Sequence, residues 1–327
     1  MSLAQTPPGR TRADTETELD LVVERVETVA TDVVELVLRA ADGASLPRWE
    51  PGAHLDLVLG ENLVRQYSLC GNPAEAGHYR VAVLREPASR GGSVAVHALR
   101  AGDALRARGP RNHFPLRPGH HYVFIAGGIG ITPILTMVES AEAAGASWEL
   151  HYGGRTTSSM AYAERLAALG DRVRLVPQDT HGLLDLDAVL GLARPDTLVY
   201  CCGPEPLLQA VEERMAPWPP QSLHLERFVA RERGADDVDR PFDLVLERSG
   251  LTLRVEPGVT AFEAMRAAGV AVLGSCLEGI CGTCEQAVVE GEVDHRDSVL
   301  DAEEQAANDC LMVCVSRAKG DRLVLDA

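Results

Sequence analysis

From about Leu19, apolar and polar residues alternate in short runs separated by turn residues. Runs at 21–29, 33–40, 54–59, 63–68, 79–84 and 104–108 have the length and period of β-strands. Pro51-Gly52, Gly71-Asn72-Pro73 and Gly109-Pro110 punctuate them. Strands of this length and spacing predict an antiparallel β-barrel. Residues 1–18 carry no such pattern and read as a disordered tail.

The pattern then switches. Strand-length apolar runs at 122–126, 148–152, 173–176, 198–202 and 223–226 alternate with helical stretches near 133–144, 159–169, 186–190 and 205–215. Such alternation predicts a parallel sheet covered on both faces. Residues 230–241 are charged and poor in apolar side chains, and read as a linker. A hairpin-like pair follows, 242–247 and 251–255, and then a helix at 264–268. Thr260 and Glu263 form its capping box, and Gly269 stands at its C-terminus. The chain is therefore expected to be multidomain: an antiparallel β-barrel over 19–118, an α/β parallel-sheet domain over 119–229 and a smaller domain over 242–327.

Composition narrows the function. The chain has 327 residues, of which 46% are hydrophobic and 24% charged, which excludes disorder as the main state. No apolar run reaches the roughly 18 residues that span a bilayer, and the N-terminus lacks a signal-peptide core. A cytoplasmic protein without a membrane partner is expected. The net charge of −17 argues against a nucleic-acid surface. From Phe242 to the end there are 16 acids against 7 bases, and five of the eight cysteines lie in the last 52 residues. In a cytosolic chain this clustering points to a metal or cluster site rather than to disulfides.

Cys276, Cys281 and Cys284 form C-x4-C-x2-C, the spacing of a plant-type [2Fe–2S] loop whose fourth thiolate comes from elsewhere. Gly279, Gly282 and Thr283 suit a loop whose N–H groups face sulfur. Zinc usually takes paired two-residue spacings, and fits the four-residue gap poorly. By spacing alone, either Cys314 or Cys310 could complete the set.

Gly127-Gly128-Ile129-Gly130-Ile131-Thr132-Pro133 follows a predicted strand and opens a predicted helix, so that the backbone could approach a pyrophosphate. Thr132 is the expected N-cap and Pro133 the first helical residue. A plain strand-to-helix turn is the alternative. Cys202-Gly203-Pro204 ends a later strand at the same sheet edge, where open α/β sheets bind ligands. In the barrel, Arg65 and Ser68 of Arg65-Gln66-Tyr67-Ser68 are expected on one side. Arg90-Gly91-Gly92-Ser93 could offer N–H groups and a hydroxyl to a phosphate. Together these suggest a flavin site.

In this order the three motifs resemble the phthalate dioxygenase reductase family, close to its vanillate O-demethylase reductases, over roughly residues 19–327. The resemblance implies an FMN-binding six-stranded barrel, an NADH-binding α/β domain and an α+β plant-type ferredoxin (β-grasp) domain. It implies a monomeric reductase passing electrons from NADH through FMN and a [2Fe–2S] cluster to a terminal oxygenase, of Rieske type. A haem monooxygenase as acceptor and a low-turnover redox sensor are the alternatives. Arg65, Tyr67 and Ser68 would hold the FMN phosphate, ring and N5 region. Ala82 and Val83 would meet the ring through their backbone, with Gly92 and Ser93 at the phosphate. Gly127, Gly130 and Thr132 would meet the NADH pyrophosphate, Cys202 the nicotinamide, and Phe228 would stack near the flavin. Ser68, Cys202 and Phe228 are thus the expected catalytic residues. The context Cys314-Val315-Ser316-Arg317 favours Cys314 as the fourth ligand with Cys276, Cys281 and Cys284. FMN over FAD and NADH over NADPH rest on the resemblance, and Arg155 could serve either nucleotide. Leu84 departs from the family, whose members often carry lysine there.

Overall fold

The computed structural model describes residues 17–61, 63–231 and 238–327. Residues 1–16 of the expected tail and 232–237 of the expected linker lie outside them. The chain opens with β1 (Glu18–Ala30), β2 (Val33–Ala40), β3 (His54–Gly60), β4 (Leu63–Ser68), β5 (Tyr79–Leu84), the helix α1 (Gly92–Ala98) and β6 (Ala104–Arg111). These six strands make one antiparallel sheet in the order β4-β3-β6-β1-β2-β5. A bridge between Leu69 and Val81 draws its two edges together into a barrel. Alternate residues fill the interior, among them Leu21, Val23, Leu36, Leu38, Leu55 and Leu57.

The second sheet comprises β7 (His121–Gly127), β8 (Ser147–Gly154), β9 (Val173–Pro177), β10 (Thr197–Cys202) and β11 (Leu223–Glu226). It is parallel, in the order β11-β10-β7-β8-β9. Its connections carry α2 (Ile131–Ala143), α3 (Ala163–Ala167), α4 (Gln178–His181), α5 (Leu186–Leu190) and α6 (Glu205–Met215). Ile134, Leu135 and Val138 of α2 pack into one core, and Leu190, Leu208 and Val211 of α5 and α6 into another. Both sheet faces are thereby covered.

Two local expectations need correction. A single 3-10 turn, Gly128–Gly130, precedes α2, which starts at Ile131 rather than Pro133. Thr132 therefore lies inside the helix, where its hydroxyl donates to the Ile129 carbonyl at 3.0 Å instead of capping. The helix expected over 159–169 is interrupted by Tyr162, at φ +61°, and only Ala163–Ala167 is α-helical. The Tyr162 hydroxyl reaches across to Glu35 of the barrel at 2.7 Å, a contact that a continuous helix is not required to make.

Barrel and parallel sheet share a core. Val33, Cys70, Ala82 and Phe114 pack in one buried cluster with Phe124, Tyr152 and Tyr200. Each large apolar side chain buried there contributes about 1.5–3 kcal/mol, so the two sheets are joined by packing as well as by the chain.

The last unit is built from β12 (Phe242–Leu246), β13 (Leu251–Val255), α7 (Ala261–Ala267), β14 (Glu285–Glu290), β15 (Val293–Asp294), α8 (Ala302–Ala307), β16 (Cys310–Met312), β17 (Arg317–Ala318) and β18 (Arg322–Leu325). Its main sheet runs β13-β12-β18-β14-β16, with β12 parallel to β18. Ala261 and Met265 of α7 pack against Phe242, Leu244 and Leu325, a β-grasp arrangement. The capping box forms as expected, with Glu263 N–H donating to Thr260 Oγ1 at 3.1 Å and Thr260 N–H to Glu263 Oε2 at 2.9 Å. Among the described residues, no helix is long and apolar enough to cross a membrane.

Candidate redox site

Strand β4 pairs with β3 in unbroken register from Val64 to Ser68. Strand alternation then puts Arg65 with Tyr67 on one face and Gln66 with Ser68 on the other, which corrects the expectation that Arg65 and Ser68 share a side. Arg65 reaches toward α1, donating to the Arg90 carbonyl at 3.3 Å. A Cβ on Gly92 would come within 2.5 Å of Arg65 Cγ, so this approach requires glycine. Ser93 stands beside them, but its hydroxyl is already engaged, accepting from Glu86 N–H at 3.1 Å and donating to Ser89 Oγ at 3.0 Å. The guanidinium beside the Gly91-Gly92 backbone is a fit for a phosphate. Burial pushes the Tyr67 phenol up to about 12, which keeps it neutral. Ala82 and Val83 are buried in β5 opposite Glu35 and Val34.

At the carboxyl ends of β7 and β10 two turns press together. A Cβ on Gly127 would lie 2.7 Å from Pro204 Cδ, and one on Gly130 2.3 Å from the Cys202 carbonyl oxygen. These two glycines serve the packing of the turns. Gly128 instead has φ +55° with nothing within 4 Å of its Cβ position, leaving room for an incoming group. The sequence reading did not single it out.

Parallel pairing sets Cys202 of β10 beside Glu226 of β11. The buried Cys202 thiol donates to Glu226 Oε2 at 3.9 Å, and Ser68 of the barrel hydrogen-bonds the same carboxyl. Burial pushes Glu226 up to about 8, against the lowering effect of both hydrogen bonds. Burial, and then the neighbouring carboxyl, raises the Cys202 thiol well above its ordinary value. Two expected catalytic residues, Ser68 and Cys202, are thus brought together by a third group, Glu226, which sequence reasoning missed. Phe228 follows two residues later and is 38% exposed, consistent with a ring that covers a bound group.

In the β-grasp unit, Cys276 contacts Cys281 and Cys314, and Cys314 contacts Cys284. The four thiols therefore form one connected group. Gly279 and Gly282 adopt φ +71° and +70°, turning the loop so that N–H groups face sulfur. Glu278 N–H donates to Cys276 Sγ at 3.3 Å, and the Gly279 N–H reaches Cys314. Thr283 Oγ1 lies 3.2 Å from Cys281 Sγ. Cys310 is separate. It pairs with Ala287 in the sheet, and its thiol is raised to about 12 by burial and by Glu285, Asp309 and Glu304. Among the described residues no three His, Cys, Asp or Glu side chains converge as a site for one metal ion. A two-iron cluster instead distributes its four thiolates over two centres. The donor set, with its N–H groups on sulfur, fits such a cluster.

Residues 244–319 match the 2Fe-2S iron-sulfur cluster binding domain, and residues 124–213 the oxidoreductase NAD-binding domain. The chain is 44% identical over 315 residues to the toluene-4-sulfonate monooxygenase system reductase subunit TsaB1 of Comamonas testosteroni, covering 94% of this chain and 99% of that one. It is similar to the solved structure of phthalate dioxygenase reductase, at TM-score 0.68 and 36% identity, covering 95% of this chain and 98% of that one. A type IV self-sufficient cytochrome P450 monooxygenase gives TM-score 0.90 and 44% identity over 95% of this chain, which spans only 41% of that longer protein.

Proposed function

The chain belongs to the phthalate dioxygenase reductase family of oxygenase reductases, and from that premise we propose how its residues perform the reaction. It is an oxidoreductase whose groups are NADH, FMN and a [2Fe–2S] cluster, and it supplies electrons to a terminal oxygenase. A flavin set between a nicotinamide and an iron-sulfur centre allows a pair of electrons taken as hydride to leave one at a time.

The chain's own part is to bind and to orient. Arg65 and the backbone N–H groups of Gly92 and Ser93 would hold the FMN phosphate, and Tyr67, Ala82 and Val83 would line the ring. The turn carrying Gly127, Gly130 and Thr132 receives the NADH pyrophosphate, with Gly128 added because of the open space beside it. Ser68 and Cys202 would stand beside the nicotinamide and flavin and Phe228 would cover them, while Glu226 ties the first two residues together. Burial raises that carboxyl to about 8, so at neutral pH it is held as the neutral acid between Ser68 and Cys202. Cys276, Cys281, Cys284 and Cys314 ligate the irons.

The observation that carries this reading is the convergence of four thiols in one chain with the Ser68–Glu226–Cys202 junction. The acceptor we assign is a Rieske-type oxygenase, a reading supported by the match to reductases named for monooxygenase and dioxygenase systems. The likeness to a P450 chain supports a haem acceptor as the second reading. We read the protein as a monomer of the cytoplasm, where clustered cysteines serve a cluster rather than disulfides. The test is NADH-dependent reduction of ferricyanide and of cytochrome c by the reconstituted protein. Both activities are expected. Ferricyanide reduction alone contradicts the link from flavin to cluster.

A further inference from the structure

The loop that bears the first three cluster cysteines is gripped by the barrel at three points. Gln66 of β4 uses one amide nitrogen for two contacts, one of which crosses the joint. Its Nε2 donates to Asp56 Oδ1 at 2.9 Å within the barrel and to Ser275 Oγ at 2.7 Å, immediately before Cys276. Further along the loop, Arg90 donates to Glu278 at 2.9 Å. Beyond that, the His113 ring lies so close to Gly282 that a Cβ there would meet His113 Nε2 at 2.2 Å. Gly282 stands between Cys281 and Cys284.

The barrel side of this grip is rigid. Asp56 is fully buried and ion-paired with Arg111, and the strand pairing of β3 with β4 holds Asp56 opposite Gln66. His54, opposite Ser68 in the same register, stacks on His113 with ring centroids 5.9 Å apart. One patch of β3, β4 and β6 therefore carries Ser68 at the proposed flavin site and the contacts that hold the cysteine loop. Gln66 lies between Arg65 and Tyr67 in sequence but on the opposite face of the strand. It faces the loop while its neighbours face the proposed flavin site.

We propose that Gln66 is a positioning residue for electron passage out of the barrel: clamped by Asp56, it registers Ser275, and with it the cysteine loop, against the strand that carries the flavin contacts. This rests on the family reading for the identity of the two groups. The geometry of the joint stands independently of it. The consequence is that the ferredoxin module works from a docked position, and that the joint affects the step after hydride transfer and not the step before it.

The test compares Gln66→Ala, Ser275→Ala, Ser275→Thr and the double alanine variant of the full-length, reconstituted protein. One readout is the ratio of cytochrome c to ferricyanide reduction with NADH. The other is amide hydrogen exchange over residues 275–284, which needs no turnover. Each alanine variant is expected to lower the ratio about fivefold, the effect of one neutral hydrogen bond, with ferricyanide reduction maintained. The double variant falls no further, Ser275→Thr keeps the wild-type ratio, and exchange over 275–284 rises in both single alanine variants. Unchanged ratios and exchange in the single variants, or losses that multiply in the double variant, would overturn the proposal. Should Gln66→Ala lose its cluster, the Ser275 pair decides, because equal ratios for alanine and threonine also overturn it. A wild-type protein that reduces neither dye contradicts the family reading instead, and the exchange comparison still decides the bridge.

Discussion

The Cys202 thiol lies 3.9 Å from Glu226 Oε2, and the same carboxyl hydrogen-bonds Ser68, so barrel and nucleotide sheet meet on one protonatable group. Burial raises that carboxyl from 4.5 to about 8 in the folded chain, which binds the proton more tightly than the unfolded chain does. Stability therefore falls as pH rises between those values and levels off above them. Glu226→Gln should abolish this decline, measured by urea unfolding across the range. It should also remove an inflection near pH 8 from NADH–ferricyanide turnover. A variant whose two profiles track the wild type would contradict the assignment.

Arg65→Ala should lose flavin. A charge-assisted hydrogen bond to an anion contributes about 1.5–3 kcal/mol, so retention should weaken by roughly 10- to 100-fold. Flavin content after gel filtration checks this, and a variant that keeps stoichiometric FMN would refute the phosphate role.

Cys314→Ser should lose the iron-sulfur cluster, whereas Cys310→Ser should keep it, because the Cys310 thiol interacts with the carboxylates of Asp309, Glu285 and Glu304 whereas Cys314 interacts with Cys276 and Cys284. Iron and acid-labile sulfide per chain are the measure. The reverse result would move the fourth ligand to Cys310.

Tyr162→Phe removes the hydroxyl that donates to Glu35 at 2.7 Å and lies 3.4 Å from Cys70 Sγ. Glu35 is buried and would keep only Arg80, so a loss of about 1–3 kcal/mol is expected in urea unfolding. Because the contact joins the barrel to the nucleotide sheet, KM for NADH should rise while flavin content holds. A neutral effect on both stability and KM would mean that the shared apolar core alone joins the two sheets.

The sequence made some of this visible and hid the rest for physical reasons. Strand spans such as Val33–Ala40 and Leu63–Ser68 were legible because alternation and flanking turns act locally. The C-x4-C-x2-C loop was legible because ligand geometry fixes its spacing. Helix α1 was not, since two glycines open it and the β-branched Val94 and Val96 lie within it, so Arg90-Gly91-Gly92-Ser93 read only as N–H groups and a hydroxyl for a phosphate. Glu226 at a strand end looks like any solvated acid until parallel pairing sets it beside Cys202. Gln66 gains its role from Ser275, 209 residues away, a relation that no local pattern encodes.

Low-temperature electron paramagnetic resonance of the protein, reduced anaerobically with NADH alone, tests the central claim most directly. The account predicts the signal of one reduced [2Fe–2S] centre per chain, appearing as the flavin absorbance bleaches. Bleached flavin with no iron-sulfur signal, in protein shown to contain iron and acid-labile sulfide, would contradict it.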